Sequence, residues 1–248
     1  MILDTPSSNW NDRQNGLSAE YIIIHYTGTK TADEAKERFL DADPQDGVGR
    51  ISPHYMIGAD GEIYKFVEED KRAWHAGISK WKDIQDMNSA SIGIEIWNSG
   101  HEFDFEEFRG VQIEALIGLI ADIRTRWNIP DKNILGHSDI APGRKKDPGE
   151  KFPWRKLEIN GIGLMPQIAC DDTYPPREFL DNPEKFYEGL VRFGYSNEVS
   201  HDILLQEFRR HYVPKSFGRS DLDEETCMAL LSLLDQLEKD NPQVAYSL

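Results

Sequence analysis

Short apolar runs separated by turn residues fill the first two thirds of the chain. Residues 21–24, Tyr-Ile-Ile-Ile, are aromatic and β-branched, the pattern of a buried strand, and they deliver His25 at its end. Thr31-Ala32-Asp33-Glu34 is a capping-box sequence followed by Ala35 and Phe39 at helical spacing, so a helix starts here, and residues 41–50 read as loop. Residues 55–57 and 63–67 flank Ala59-Asp60-Gly61, which predicts a hairpin. Residues 91–97 alternate, with Ile92, Ile94 and Ile96 on one face and Gly93, Glu95 and Trp97 on the other. Glu95 is therefore a carboxylate in the middle of an apolar strand, which is costly without a partner. Phe108, Val111, Leu116, Leu119, Ile120, Ile123 and Trp127 mark a long amphipathic helix ending before Pro130, and residues 133–135 predict a strand that presents His137. The expected class is α/β, a mixed central β-sheet flanked by helices.

The pattern changes after Trp154. Gly and Pro accumulate from Gly161-Ile162-Gly163 to Tyr174-Pro175-Pro176 and mark a boundary. Beyond it Phe186, Leu190 and Phe193, then Leu204, Leu205, Phe208 and Tyr212, then Met228, Leu231 and Leu234 form three helical stripes. The expected division is an α/β domain over 1–165, a linker over 166–176 and a small three-helix domain over 177–248.

Composition narrows the class. Hydrophobic residues make up 39% of the chain and are interleaved with charge, leaving no run of about 18 apolar residues that could span a membrane. Residues 1–8 lack a basic segment followed by an apolar core, so no signal peptide is visible and the expected location is cytoplasmic; a mature chain that begins after a removed signal would instead be periplasmic or secreted. The net charge of -16, half of it carried by residues 171–248, argues against nucleic acid as a partner. Cys170 and Cys227 offer no disulfide framework.

Candidate chemistry lies in His25, His137 and Asp147. Two imidazoles at strand ends, with a carboxylate ten positions after the second, would give zinc three protein ligands and leave a fourth position for water, an arrangement suited to hydrolysis. Spacing alone also allows hydrogen-bonded structural histidines, because these residues lack the local regularity of a His-Glu-x-x-His helix.

Five collinear blocks carry a resemblance: Ile24-His25-Tyr26-Thr27, Ser52-Pro53-His54-Tyr55-Met56-Ile57, Arg72-Ala73-Trp74-His75-Ala76-Gly77, Ser91-Ile92-Gly93-Ile94-Glu95-Ile96, and Gly136 through Gly149 with Pro153-Trp154. Over roughly residues 8–165 the chain resembles the zinc N-acetylmuramoyl-L-alanine amidases of the amidase 2 family, whose fold is shared with peptidoglycan recognition proteins. The AmpD and AmiD type is the nearer one, since Asp147 stands where phage-lysozyme relatives carry a cysteine. Those relatives also carry a tyrosine where this chain has Pro53, so proton transfer falls to Glu95.

The resemblance implies Zn²⁺ on His25, His137 and Asp147, Glu95 as general base and Lys145 as oxyanion stabiliser. It implies Trp74, His75 and Asn88 as substrate contacts, with His54 and Tyr55 bracing the sheet and Lys146 a solvated bystander. Phe193-Gly194-Tyr195 and Leu205 through Tyr212 resemble, more loosely, a three-helix peptidoglycan-binding domain; a bundle that only buttresses the catalytic domain is the alternative. The implied activity is cleavage between N-acetylmuramic acid and L-alanine, in peptidoglycan or in anhydro-muropeptides. A recognition protein without catalysis is the competing reading, against which stands the full set of ligands with Glu95 and Lys145. A zinc peptidase acting on another amide is a third, since pocket shape alone selects the substrate.

Overall fold

The apolar run at residues 21–24 lies within a six-residue strand at the heart of a mixed sheet. The computed structural model describes residues 1–45, 47–168 and 176–240. In chain order, β1 (Ile2–Asp4), β2 (Trp10–Asp12), β3 (Tyr21–Tyr26), α1 (Ala32–Leu40), β4 (Tyr55–Ile57), β5 (Ile63–Lys65) and β6 (Lys71–Ala73) precede α2 (Met87–Ala90), which runs directly into β7 (Ser91–Ile96). Then come α3 (Gly110–Arg124), β8 (Ile134–Gly136), α4 (His137–Ile140) and α5 (Trp154–Ile159), and after them α6 (Arg177–Asp181), α7 (Pro183–Phe193), α8 (His201–Tyr212) and α9 (Glu224–Asp240).

Among the described residues six strands pair in the order β1-β5-β4-β7-β3-β8, all parallel except the β4/β5 hairpin, and β2 and β6 form a separate antiparallel ribbon. The isoleucines of β3 and β7 are buried on both faces of the sheet, as in parallel strands with covered faces. Thr31 caps α1 as expected, its hydroxyl accepting from Glu34 N–H while the Glu34 carboxylate accepts from Thr31 N–H.

The long helix is shorter than its apolar pattern. Phe108 and Trp127 lie outside α3, and Val111 is exposed because it is out of phase with the buried line Ile113, Leu116, Ile120 and Ile123. Gln112 is buried instead, its amide donating to the carbonyls of Gly58 and Trp97 at the ends of β4 and β7. In α9 the buried line is Cys227, Leu230, Leu233 and Leu234, with Met228 and Leu231 only partly covered. Cys227 is a free thiol; Cys170 falls outside the described residues.

The C-terminal helices share a hydrophobic core with the sheet. Trp81 packs edge-on against Phe193 and Tyr195. Gly194, at φ +151°, approaches that indole so closely that a Cβ would lie 2.5 Å from it. Part of the expected linker lies outside the described residues; where it is described, Gln167 exchanges two backbone hydrogen bonds with the Ser232 hydroxyl on α9. Among the described residues no helix is long and apolar enough to cross a membrane.

Candidate metal centre

Parallel pairing of β3 with β7 sets His25 directly opposite Glu95, and pairing of β3 with β8 brings Gly136 beside Ile24, so that His137 emerges next to His25. His137 is the first residue of α4, one step beyond β8, which presents it as the expected strand over residues 133–135 would. The loop after α4 returns with Asp147, tied back by Ser138 N–H donating to the Asp147 carbonyl at 2.9 Å. All three side chains are buried.

The three candidate ligand atoms form a near-equilateral triangle. His25 Nδ1 lies 2.9 Å from His137 Nδ1 and 2.9 Å from Asp147 Oδ2, and the third side is 3.0 Å. Tetrahedral bonds of about 2.0–2.1 Å to zinc place neighbouring ligand atoms about 3.3 Å apart, so the triangle needs to open only slightly to take the ion.

The hydrogen bonds around the triangle assign all three atoms as acceptors. His137 Nε2 donates to the Ala76 carbonyl at 3.0 Å, which leaves Nδ1 bare. The Ser91 hydroxyl donates to the Met87 carbonyl and so accepts from His75 Nε2; His75 Nδ1 is then bare and accepts from His25 Nε2 at 3.0 Å, which leaves His25 Nδ1 bare as well. Two nitrogen lone pairs and a carboxylate oxygen thus converge with no proton between them. A metal cation would relieve that arrangement, and the N, N, O donor set suits zinc.

Burial, with His137 nearby, lowers the His25 pKa to about 4, so the ring is neutral. Burial, helped by the Asp147 charge, pushes Glu95 well above its ordinary value, while Lys145 pulls it down. Glu95 Oε2 is buried without a hydrogen-bond partner, aimed into the same cleft.

That cleft, of about 370 Å³, is lined by His25, Glu95, His137 and Asp147 on its floor and by Trp74, Lys145 and Lys146 on its walls. Trp74 stands on the wall with its indole N–H on Asn11 and the Arg50 guanidinium over its ring. His75 reaches the floor, but both its nitrogens are used behind His25. Its ring presses on Gly93, where a Cβ would lie 2.4 Å from Cγ. Asn88 is buried, its Oδ1 accepting from the N–H groups of His75 and Ala76, and it does not line this cleft. His54 braces the sheet, accepting from Gly93 N–H and donating to the Lys71 carbonyl. Two contributors escaped the sequence. Arg144 donates to the Ala76 carbonyl that orients His137, and Ser91 ends the chain behind His25; neither carries a local pattern that signals such a role.

The comparisons fall on the same residues. The model of the N-acetylmuramoyl-L-alanine amidase family matches residues 15–150. The N-acetylmuramoyl-L-alanine amidase AmiD of Escherichia coli is 34% identical over 242 residues, covering 88% of this chain and 83% of that protein. AmpDh3 of Pseudomonas aeruginosa, solved in complex with anhydromuramic pentapeptide, aligns with a TM-score of 0.77 at 30% identity, covering 93% of this chain and 95% of that one. The complex of AmiD from Escherichia coli with anhydro-N-acetylmuramic acid-L-Ala-D-γ-Glu-L-Lys aligns at 0.74 and 30% identity, covering 90% and 91%. With the family model matching more than half of its residues and AmiD alike over most of its length, the chain belongs to the N-acetylmuramoyl-L-alanine amidase family.

Proposed function

We propose that this protein is a zinc-dependent hydrolase that cleaves the amide between N-acetylmuramic acid and the L-alanine of the stem peptide, with anhydro-muropeptides among its substrates. The observation that carries the reading is the convergence of bare His25 Nδ1, bare His137 Nδ1 and Asp147 Oδ2 beside an unpartnered Glu95. Held by His25, His137 and Asp147, zinc would supply Lewis acidity towards the scissile carbonyl and would activate water for attack.

The rest falls to the chain's own side chains. Glu95, buried and without a fixed partner, takes the proton of the attacking water and returns one to the leaving amine. A cation held there would offset the burial that raises the Glu95 pKa and so favour the ionised state a base requires. Lys145, half-buried in the cleft wall, faces the negative charge that develops on the carbonyl oxygen. Trp74 offers an aromatic wall for sugar or peptide. His75 and Asn88 serve the substrate indirectly, the first by orienting His25 and the second by fixing the backbone of residues 75 and 76.

Initial rates on purified anhydro-muropeptide and on whole sacculi, measured side by side, test the substrate assignment. Release of stem peptide from the soluble substrate supports it; absence of release from both excludes it.

A further inference from the structure

Behind the metal centre, α8 of the C-terminal half grips both ligand-bearing segments. Asp139 lies two residues after His137 on the four-residue helix α4 and is fully buried. Its Oδ1 accepts from the Tyr195 hydroxyl at 2.6 Å, and its Oδ2 accepts from His211 Nδ1 at 2.7 Å and from Gly136 N–H at 2.7 Å. A single helical turn does not hold itself, so the direction in which His137 points depends on what anchors Asp139.

The second segment is held in the same way. Glu150, three residues after Asp147, pairs with Arg210, which Glu207 fixes at 2.7 Å, and also meets His101 Nε2 at 3.1 Å. His211 stacks on Trp154 at 3.8 Å, and Trp154 lies against Gly136. Neighbouring residues Arg210 and His211 thus reach the segments of Asp147 and His137 respectively.

We infer that Tyr195, Arg210 and His211 are positioning residues of the metal centre, so that the C-terminal helices set its affinity for zinc without touching the ion or the substrate. The inference rests on the zinc reading above. Ligand atoms must be held to within about 0.5 Å, and loss of such outer partners costs about 10- to 100-fold in metal affinity.

The test is zinc affinity of the full chain, by competition with a chromophoric chelator, for wild type, Tyr195→Phe, His211→Leu, their double variant and His211→Asn. Tyr195→Phe keeps the ring against Trp81 and loses only the hydroxyl; it should bind zinc about tenfold more weakly, and the double variant up to about 100-fold. His211→Asn, whose side-chain nitrogen replaces Nδ1 as donor, should recover most of the loss. With zinc saturating, KM for a soluble muropeptide should stay at the wild-type value, which a general loosening of the fold would not give. Each variant is first shown to melt cooperatively, and if His211→Leu fails to fold, Tyr195→Phe decides alone. Wild-type zinc affinity in a folded Tyr195→Phe protein overturns the inference; failure of wild type itself to bind zinc overturns the zinc reading instead.

Discussion

His25 and Glu95 are paired residues of adjacent parallel strands, so the register that builds the sheet also places the candidate general base beside the first metal ligand. A slip of one residue would turn Glu95 to the opposite face of the sheet and bring the isoleucines of β7 to the ligand side in its place. Sheet register and the geometry of the candidate site are the same constraint.

Glu95→Gln keeps the shape and removes the base. Zinc content should remain at the wild-type level while kcat falls by about 10²- to 10⁴-fold, the range for a lost general base. Elemental analysis alongside steady-state kinetics checks both halves; a loss below about tenfold would return Glu95 to a structural role.

Lys145→Ala removes a cation from the cleft wall, and kcat should fall by about 10²- to 10³-fold. The sign of its pH effect follows from Lys145 lowering the Glu95 pKa. Without it the base stays protonated to higher pH, so the acidic limb of the kcat/KM profile should move upward. An unmoved limb would show that Lys145 and Glu95 do not share one field.

Gly93→Ala puts a methyl 2.4 Å from the His75 ring. His75 is packed between His54 and His25, so it has little room to yield. Overpacking of this kind costs about 1–3 kcal/mol, and displacing His75 frees His25 Nε2 from its partner. Urea unfolding should show the stability loss and chelator competition a weaker zinc site; unchanged values in both would mean that His75 does not orient His25.

His54 supplies a pH dependence away from the ligands. Burial, with Arg13 nearby, lowers its folded pKa to about 3. The unfolded imidazole, near 6.5, binds a proton that the folded one refuses, so this contribution is present above about pH 6.5 and is lost as pH falls towards 3. Relative to His54→Asn, wild type should lose about 1.4 kcal/mol per pH unit across that window. Parallel stability curves for the two proteins would contradict it.

Much of the site was legible because each element is local. The run at 21–24 announces β3, the alternation at 91–97 exposes Glu95 as the misfit of β7, and the motif blocks order the ligands. What pattern could not show is where committed side chains spend their hydrogen bonds. His75 sits in one of the blocks and Asn88 just before the Glu95 strand, yet His75 turns its nitrogens to His25 and Ser91 and Asn88 turns its amide oxygen to backbone N–H groups. Asp139 was illegible for the same reason, since its partners Tyr195 and His211 are 56 and 72 residues away. The stripe of α9 was misread because Met228 and Leu231 are as apolar as Cys227 and Leu230, and only the packed bundle selects between neighbouring faces.

The most direct measurement strips the protein of metal, adds back zinc stepwise, and identifies by mass spectrometry the products from an anhydro-muropeptide. The account predicts no cleavage without metal, recovery complete at about one equivalent for a three-ligand site, and two products, the anhydro-muramic sugar and a stem peptide with a free L-alanine amine. Full activity in the stripped protein, or cleavage at any other bond, would contradict it.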